Sequence, residues 1–242
     1  MKVALVTGAA RRVGAEIAKT LHQHDYHVVM HCHQSGGEAQ RLATSLNQQR
    51  SHSACVLEYD LAQHENLSTV IEKTLACWGQ LDLLVNNASN FFPTPVGKVT
   101  LNAWQSLMAV NLQAPFFLSQ AAYPWLQKTE GNIINIADIH ADFPMRDYSA
   151  YCIAKSGLVM ATKALAKEMA PSVRVNAIAP GTMMWPEGEN ALSIAEQEKL
   201  IQKICLKRQG TAQDIAEAVF FLSQAAYITG QVLAVDGGRS VA

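Results

Sequence analysis

The sequence predicts an α/β fold: one doubly wound parallel sheet with helices on both faces. Three observations lead there. Short apolar runs alternate with longer amphipathic segments along the whole chain. Several of those runs carry no alternation, as in parallel strands covered on both sides. No Pro/Gly/Ser-rich linker, repeat or low-complexity stretch divides the chain, so residues 1–242 are expected to form a single domain.

The elements follow in order. A first strand is expected at Val3–Val6, running straight into Thr7-Gly8, with a helix over Val13–His24. A strand at Val28–Met30 precedes a helix over Glu38–Gln49, and a strand at Ala54–Leu57 precedes one over Leu67–Trp78. The run Leu81–Val85 leads to a long helix, Leu101–Leu126, and Asn132–Ile136 to another, Ser149–Met169. After Val173–Ile178 comes the least regular stretch, Pro180–Asn190, which reads either as a loop covering a site or as an ordinary surface loop. Helices over Ile194–Cys205 and Ala212–Gln224 and a strand at Val232–Val235 close the chain.

Composition narrows the function. The formal net charge is −1 and the basic residues are scattered, which argues against a nucleic-acid or anionic-membrane partner. No stretch is long and apolar enough to span a bilayer, and the N-terminal run ends in Thr-Gly, unlike a signal peptide. The five cysteines are odd in number and none falls in CxxC spacing, so neither a disulfide framework nor a metal site is expected. Free thiols fit a reducing compartment, and a cytoplasmic protein is the expectation.

The first candidate site is the turn Thr7-Gly8-Ala9-Ala10-Arg11-Arg12-Val13-Gly14 between strand and helix. Gly8 permits a tight turn, small residues let backbone approach a phosphate, and the helix N-terminus directs N–H groups at an anion. Arg12 stands where a dinucleotide fingerprint has glycine. The second strand ends in His31-Cys32-His33-Gln34-Ser35 without the carboxylate that an NAD ribose would need. Arg12, His33 and Ser35 therefore favour NADP(H), although His31 and His33 read equally well as plain strand-end residues.

The second candidate is Tyr151 and Lys155, four residues apart on one helical face. A phenol ionises near ~10, and a neighbouring ammonium would lower that value and ready it for proton exchange. Most Tyr-x-x-x-Lys pairs carry no chemistry, so the surrounding set matters: Asn86-Asn87-Ala88, Asn111, Asp138 and Pro180-Gly181, all at or beside the carboxyl ends of strands.

On Thr7-Gly8…Gly14, Asp60, Asn86-Asn87-Ala88, Asn111, Tyr151…Lys155, Pro180-Gly181 and Asp236-Gly237-Gly238, the chain resembles the short-chain dehydrogenase/reductase family over its full length. The resemblance implies a Rossmann fold with a seven-stranded sheet. It implies that Tyr151 is the general acid/base, that Lys155 binds the nicotinamide ribose and tunes it, and that Asn111 organises a relay water. Asp60 and Leu61 would lie by the adenine and Asn86 by the adenosine ribose. Gly8, Arg12, Val13, Asn87, Ala88, Ser89, Pro180 and Gly181 would complete the cofactor site.

Two departures from the family pattern resemble its pteridine reductase subgroup: Arg12 in the glycine turn, and Asp138 thirteen residues before the tyrosine, where serine is usual. The stretch Asn86–Pro95 and the HxHxS run ending at Ser35 agree, except that Gln34 replaces a common arginine. A pterin offers a C=N bond whose nitrogen must gain a proton. Asp138 could relay that proton, or accept from the pterin's amino and ring N–H groups; a turn or cap role is the plainer reading. Phe91 would stack on the pterin and Phe92 would pack in the core. Arg12 and Ser89 would reach substrate as well as cofactor. A substrate loop over about residues 180–205 would form the outer wall, with Met183, Met184 and Trp185 against the substrate tail.

The expected activity is NADPH-dependent reduction of a dihydropteridine. The alternatives are a carbonyl reductase of, for example, 3-oxoacyl thioesters, and a non-catalytic cofactor-sensing protein. A homotetramer formed through the helices Leu101–Leu126 and Ser149–Met169 is expected from the resemblance.

Overall fold

Seven strands form one sheet because their runs are apolar on both faces and every neighbour is parallel. They are β1 Lys2–Val6, β2 Tyr26–Cys32, β3 Ala54–Glu58, β4 Leu83–Asn86, β5 Asn132–Ile136, β6 Arg174–Pro180 and β7 Val232–Val235. The spatial order is β3-β2-β1-β4-β5-β6-β7. The computed structural model describes residues 1–183, 185 and 193–242, the side chain of His64 excepted.

The helices are α1 Arg12–Gln23, α2 Gly36–Gln49, α3 Ser68–Trp78, α4 Leu101–Met108, α5 Ala114–Lys128, α6 Ser149–Met169, α7 Ile194–Gln202 and α8 Ala212–Gln224. Strand alternation sorts the core into two layers. Ala4 and Val6 face Ile17 and Leu21 of α1 and Ile215 and Val219 of α8. Val3 and Leu5 face Val70 and Ile71 of α3, Leu118 and Leu126 of α5, and Leu165 of α6. Each fully buried leucine contributes about 1.5–3 kcal/mol of burial. Among the described residues, no helix is long and apolar enough to cross a membrane.

Two expected boundaries change. The long helix Leu101–Leu126 is divided: α4 and α5 are joined by a π-helical turn, Ala109–Gln113, which contains Asn111. The helix Ile194–Cys205 stops at Gln202, and the backbone turns where the Lys203 and Ile204 N–H groups bond back to Leu200 and Ile201. Of the anticipated substrate loop, residues 184 and 186–192 lie outside the described set, Met184 among them.

The order reverses at β1, whose two neighbours, β2 and β4, send their chains to opposite faces. Such a reversal opens a crevice at the carboxyl ends of the strands.

Candidate active site

The crevice is a cleft of about 830 Å³ lined by the turn after β1, the end of β2, the end of β3 and the segment after β4. The turn is held on three sides. Gly8 adopts φ +65°, and a Cβ there would lie 2.9 Å from the Ala88 Cα. Gly14 lets α1 approach the turn: a Cβ would lie 2.2 Å from the Gly8 carbonyl oxygen. Thr7 Oγ1 accepts from the N–H groups of Asn87 and Ala88 at 2.9 and 3.0 Å, and Asn87 Nδ2 donates back to the Thr7 and Gly8 carbonyls. Arg12 begins α1 with φ +56°, the left-handed conformation that favours glycine. Its guanidinium donates to the Trp185 carbonyl at 3.3 Å, so the chain beyond β6 comes back over the turn.

At the other end of the cleft, His33 Nδ1 lies 3.8 Å from Asp60 Oδ1. Ser35 stands just before α2, and Leu61 and Val13 complete the wall. The expected cofactor residues Gly8, Arg12, Val13, His33, Ser35, Asp60, Leu61, Asn87, Ala88 and Ser89 all line this one cleft.

Beyond Ser89 lies a titratable cluster. Asp138 follows β5, and its Oδ1 accepts from the His140 N–H at 2.9 Å, capping the 3-10 turn Ile139–Ala141. Its Oδ2 accepts from the Tyr151 hydroxyl at 2.7 Å. Both carboxylate oxygens are thus engaged, one by the turn and one by the phenol. Burial, joined by the Asp138 carboxylate, holds the Tyr151 phenol well above its ordinary range. Lys155 is buried, donates from Nζ to the Ile136 carbonyl at 2.8 Å and lies 5.7 Å from the Tyr151 ring centroid. Burial pulls its ammonium down to about 8 against the attraction of Asp138. The expected lowering of the phenol by Lys155 is therefore not what this arrangement produces. The hydroxyl faces a carboxylate, and the ammonium is spent on a backbone carbonyl.

Asn111 is placed by the π turn. Its Nδ2 donates to the Asn90 carbonyl at 2.9 Å, and its Oδ1 accepts from Ser89 Oγ at 2.6 Å. Phe91 stacks on Tyr148, with centroids 4.6 Å apart and planes 16° apart, and meets Tyr151 edge-on at 4.9 Å. Phe92 packs against the small cluster of Leu107, Ala150, Tyr151 and Cys152.

A family model described as enoyl-(acyl carrier protein) reductase matches residues 8–240. The chain belongs to the short-chain dehydrogenase/reductase family. Pteridine reductase 1 of Leishmania tarentolae is 33% identical, over 99% of this chain and 96% of the relative. The 3-oxoacyl-acyl-carrier-protein reductase FabG of Rickettsia prowazekii is 34% identical, over 98% and 96%. Glucose 1-dehydrogenase 2 of Bacillus subtilis is 30% identical, over 99% and 95%. The chain is an oxidoreductase of this family, whose members use NAD(P)(H), and identities this even do not select the substrate.

One residue expected from the short-chain reductase pattern lies elsewhere. Asn86 is turned into the core: Nδ2 donates to Asn135 Oδ1 at 2.8 Å, and Asn135 continues to Thr162 of α6. Alternation along β4 gives the cleft to Asn87 instead. Pro180 ends β6, and the Gly181 N–H bonds to the Val235 carbonyl at 3.1 Å. Met183 packs into the space left by Gly210, where a Cβ would lie 2.4 Å from its Cε, and lines a second cavity with Cys205, Leu206 and Asp236. Trp185 meets Arg12 through its backbone carbonyl.

Other residues were not foreseen. The Asn90 carbonyl holds Asn111, and the Tyr148 ring stacks on Phe91. Tyr148 alone had a usable signal, being an aromatic residue three positions before Tyr151.

Proposed function

We propose that this short-chain reductase is an NADPH-dependent pteridine reductase that converts a dihydropteridine to its tetrahydro form. The observation that supports this reading is the 2.7 Å hydrogen bond from Tyr151 to Asp138, a carboxylate where a carbonyl reductase of this family usually has serine. A ketone oxygen needs donors. A pterin also presents amino and ring N–H groups that need an acceptor, which a carboxylate supplies and a hydroxyl supplies less well.

The cleft fits a dinucleotide phosphate. A Cβ at Gly8 or Gly14 would close the turn, and Arg11 and Arg12 both line it. Gly8, Arg12 and Val13 would hold the diphosphate, His33 and Ser35 the 2′-phosphate, and Asp60 and Leu61 the adenine. Asn87, Ala88 and Ser89 would flank the nicotinamide side, with Lys155 at its ribose. The bound cofactor supplies the hydride.

Tyr151 acts as the acid. At neutral pH the phenol carries its proton, which burial and the Asp138 carboxylate hold more tightly, so it becomes a donor when substrate displaces Asp138. When a pterin enters, the hydroxyl exchanges Asp138 for the ring nitrogen, and Asp138 takes the substrate's N–H groups. Each carboxylate oxygen has a second lone pair, so the cap to His140 survives the exchange. Ser89 fixes Asn111, and Phe91, 45% exposed and stacked on Tyr148, offers ring surface for a flat substrate.

The test is NADPH consumption with dihydropterins and with a panel of ketones and 3-oxoacyl thioesters. Turnover of dihydropterin is expected, and turnover of ketones alone overturns the reading. The identity to a 3-oxoacyl reductase favours that carbonyl activity as the second reading.

We further place the protein in the cytoplasm, in keeping with five free cysteines among the described residues. We propose that residues 1–242 act as one domain that assembles as a homotetramer through α4, α5 and α6, where Trp104, Phe116, Phe117, Ile153 and Met160 are exposed.

A further inference from the structure

His31 lies near the end of β2 with 2% of its surface exposed, its ring held between two backbone groups. The Gly8 N–H points at Nδ1 over 3.2 Å, and Nε2 lies 2.9 Å from the Tyr59 carbonyl oxygen. A backbone N–H only donates and a carbonyl only accepts. The ring is therefore neutral, with its proton on Nε2 and the Nδ1 lone pair facing the turn. Burial favours the same state, pulling the imidazole down to about 4. The backbone carbonyl of His31 also accepts from the Ala9 N–H at 2.9 Å.

The Gly8 and Ala9 N–H groups thus both end on His31. Anion binding falls to the start of α1. The same ring reaches across the sheet to Tyr59, the residue before Asp60, on the opposite wall of the cleft. Turn, β2 and the end of β3 are three separate pieces of the cofactor site, and a single imidazole joins them.

We propose that His31 is a positioning residue for the cofactor, its Nδ1 fixing the phosphate-binding turn by accepting from Gly8. This rests on the reading of the cleft as a nicotinamide-dinucleotide site. His31 is 2% exposed and acts through the backbone groups it holds. Its effect falls on cofactor affinity, and the chemical step at Tyr151 is left as it was.

Two substitutions separate its two bonds. In His31→Asn the amide reaches only as far as Nδ1, so it keeps an acceptor for Gly8 and loses Tyr59. In His31→Gln the amide reaches toward Nε2, so it keeps a donor for Tyr59 and loses Gly8. NADPH titration by fluorescence should show His31→Gln weakened about tenfold or more and His31→Asn within about threefold of wild type, as expected for one hydrogen bond to a buried donor. At saturating NADPH both variants should turn over within about twofold of wild type, because only KM for the cofactor is affected.

Wild-type affinity in His31→Gln, equal weakening in both variants, or a fall in kcat at unchanged affinity overturns the proposal. Failure of the wild type to bind either NADPH or NADH overturns the dinucleotide reading and the proposal with it. Should a variant not fold, the ring nitrogen spectrum of the wild type at pH 7 decides. A neutral ring protonated on Nε2 is expected, and an Nδ1–H tautomer or an imidazolium overturns the assignment.

Discussion

Tyr151 and Asp138 share one hydrogen at 2.7 Å, and the second oxygen of the same carboxylate caps the turn that follows β5. Acid and backbone are tied to one group, so replacing Asp138 has two consequences that can be separated. Asp138→Asn keeps an acceptor for the His140 N–H and removes the charge. Its pterin turnover should fall while thermal stability changes little. Asp138→Ala should cost pterin turnover and stability together, with about 0.5–2 kcal/mol of stability lost with the cap. Steady-state kinetics with calorimetry reads both, and unchanged pterin turnover in each would make the aspartate incidental.

Tyr151→Phe removes the proton and leaves the ring packed against Phe91. Turnover should drop between about a hundredfold and ten-thousandfold, the usual worth of a general acid. NADPH binding should remain close to wild type, because the hydroxyl's partners, Asp138 and Ser89, do not hold the turn. Near-normal turnover would show that another group delivers the proton.

Lys155 carries a stability cost of known sign. Its folded-state pKa, about 8, lies below the ordinary value of 10.5. The unfolded chain therefore binds more protons between those limits, and stability rises with pH across that window. The cost is full below pH 8 and fades toward 10.5. Lys155→Met should raise the urea midpoint at neutral pH, abolish turnover, and lose its stability advantage above pH 10. Denaturation at a series of pH values measures it, and a pH-independent difference would show that folding leaves the lysine at its ordinary pKa.

Arg12→Gly tests strain against charge. The left-handed φ of +56° costs arginine about 1–2 kcal/mol, and glycine's larger unfolded entropy offsets about half of that. The melting temperature should change little. Affinity for NADPH should fall, and fall more than affinity for NADH, in paired calorimetric titrations; equal losses would remove Arg12 from 2′-phosphate selection.

Gly14→Ala has no such balance. Its methyl would meet the Gly8 oxygen at 2.2 Å and Asn87 Nδ2 at 2.5 Å. Helix and turn must separate, costing about 1–3 kcal/mol and most of the cofactor affinity. A folded variant with wild-type NADPH affinity would show that the turn tolerates the shift.

The strands were legible because a parallel sheet buried on both faces writes itself as unbroken apolar runs, and Val3–Val6 or Val28–Met30 needed nothing more. Tyr151, Asp138 and the turn were legible because their chemistry depends on side-chain identity and spacing. His31 was not: both its partners are backbone atoms, and main-chain N–H and C=O groups have no residue type to read. Nor was the inward course of Met183, which depends on the space a distant glycine leaves. The direction of the Tyr151 shift was misread for a similar reason. Spacing put the ammonium near the phenol, whereas burial and the Ile136 carbonyl decided what that ammonium could do.

The π turn between α4 and α5 also bears on how this scaffold tolerates insertion and deletion. A residue added to or taken from an α-helix turns everything beyond it by about 100°. Between Ala109 and Gln113 the wider turn absorbs such a step. Asn111 faces Ser89, and Leu118, Ala122 and Leu126 still meet the sheet. Deleting Leu112 would let α4 and α5 merge into one regular helix, with the hydrophobic seam of α5 and the site asparagine no longer in phase. Designs on this backbone that straighten the helix for stability would keep one of those two faces and lose the other.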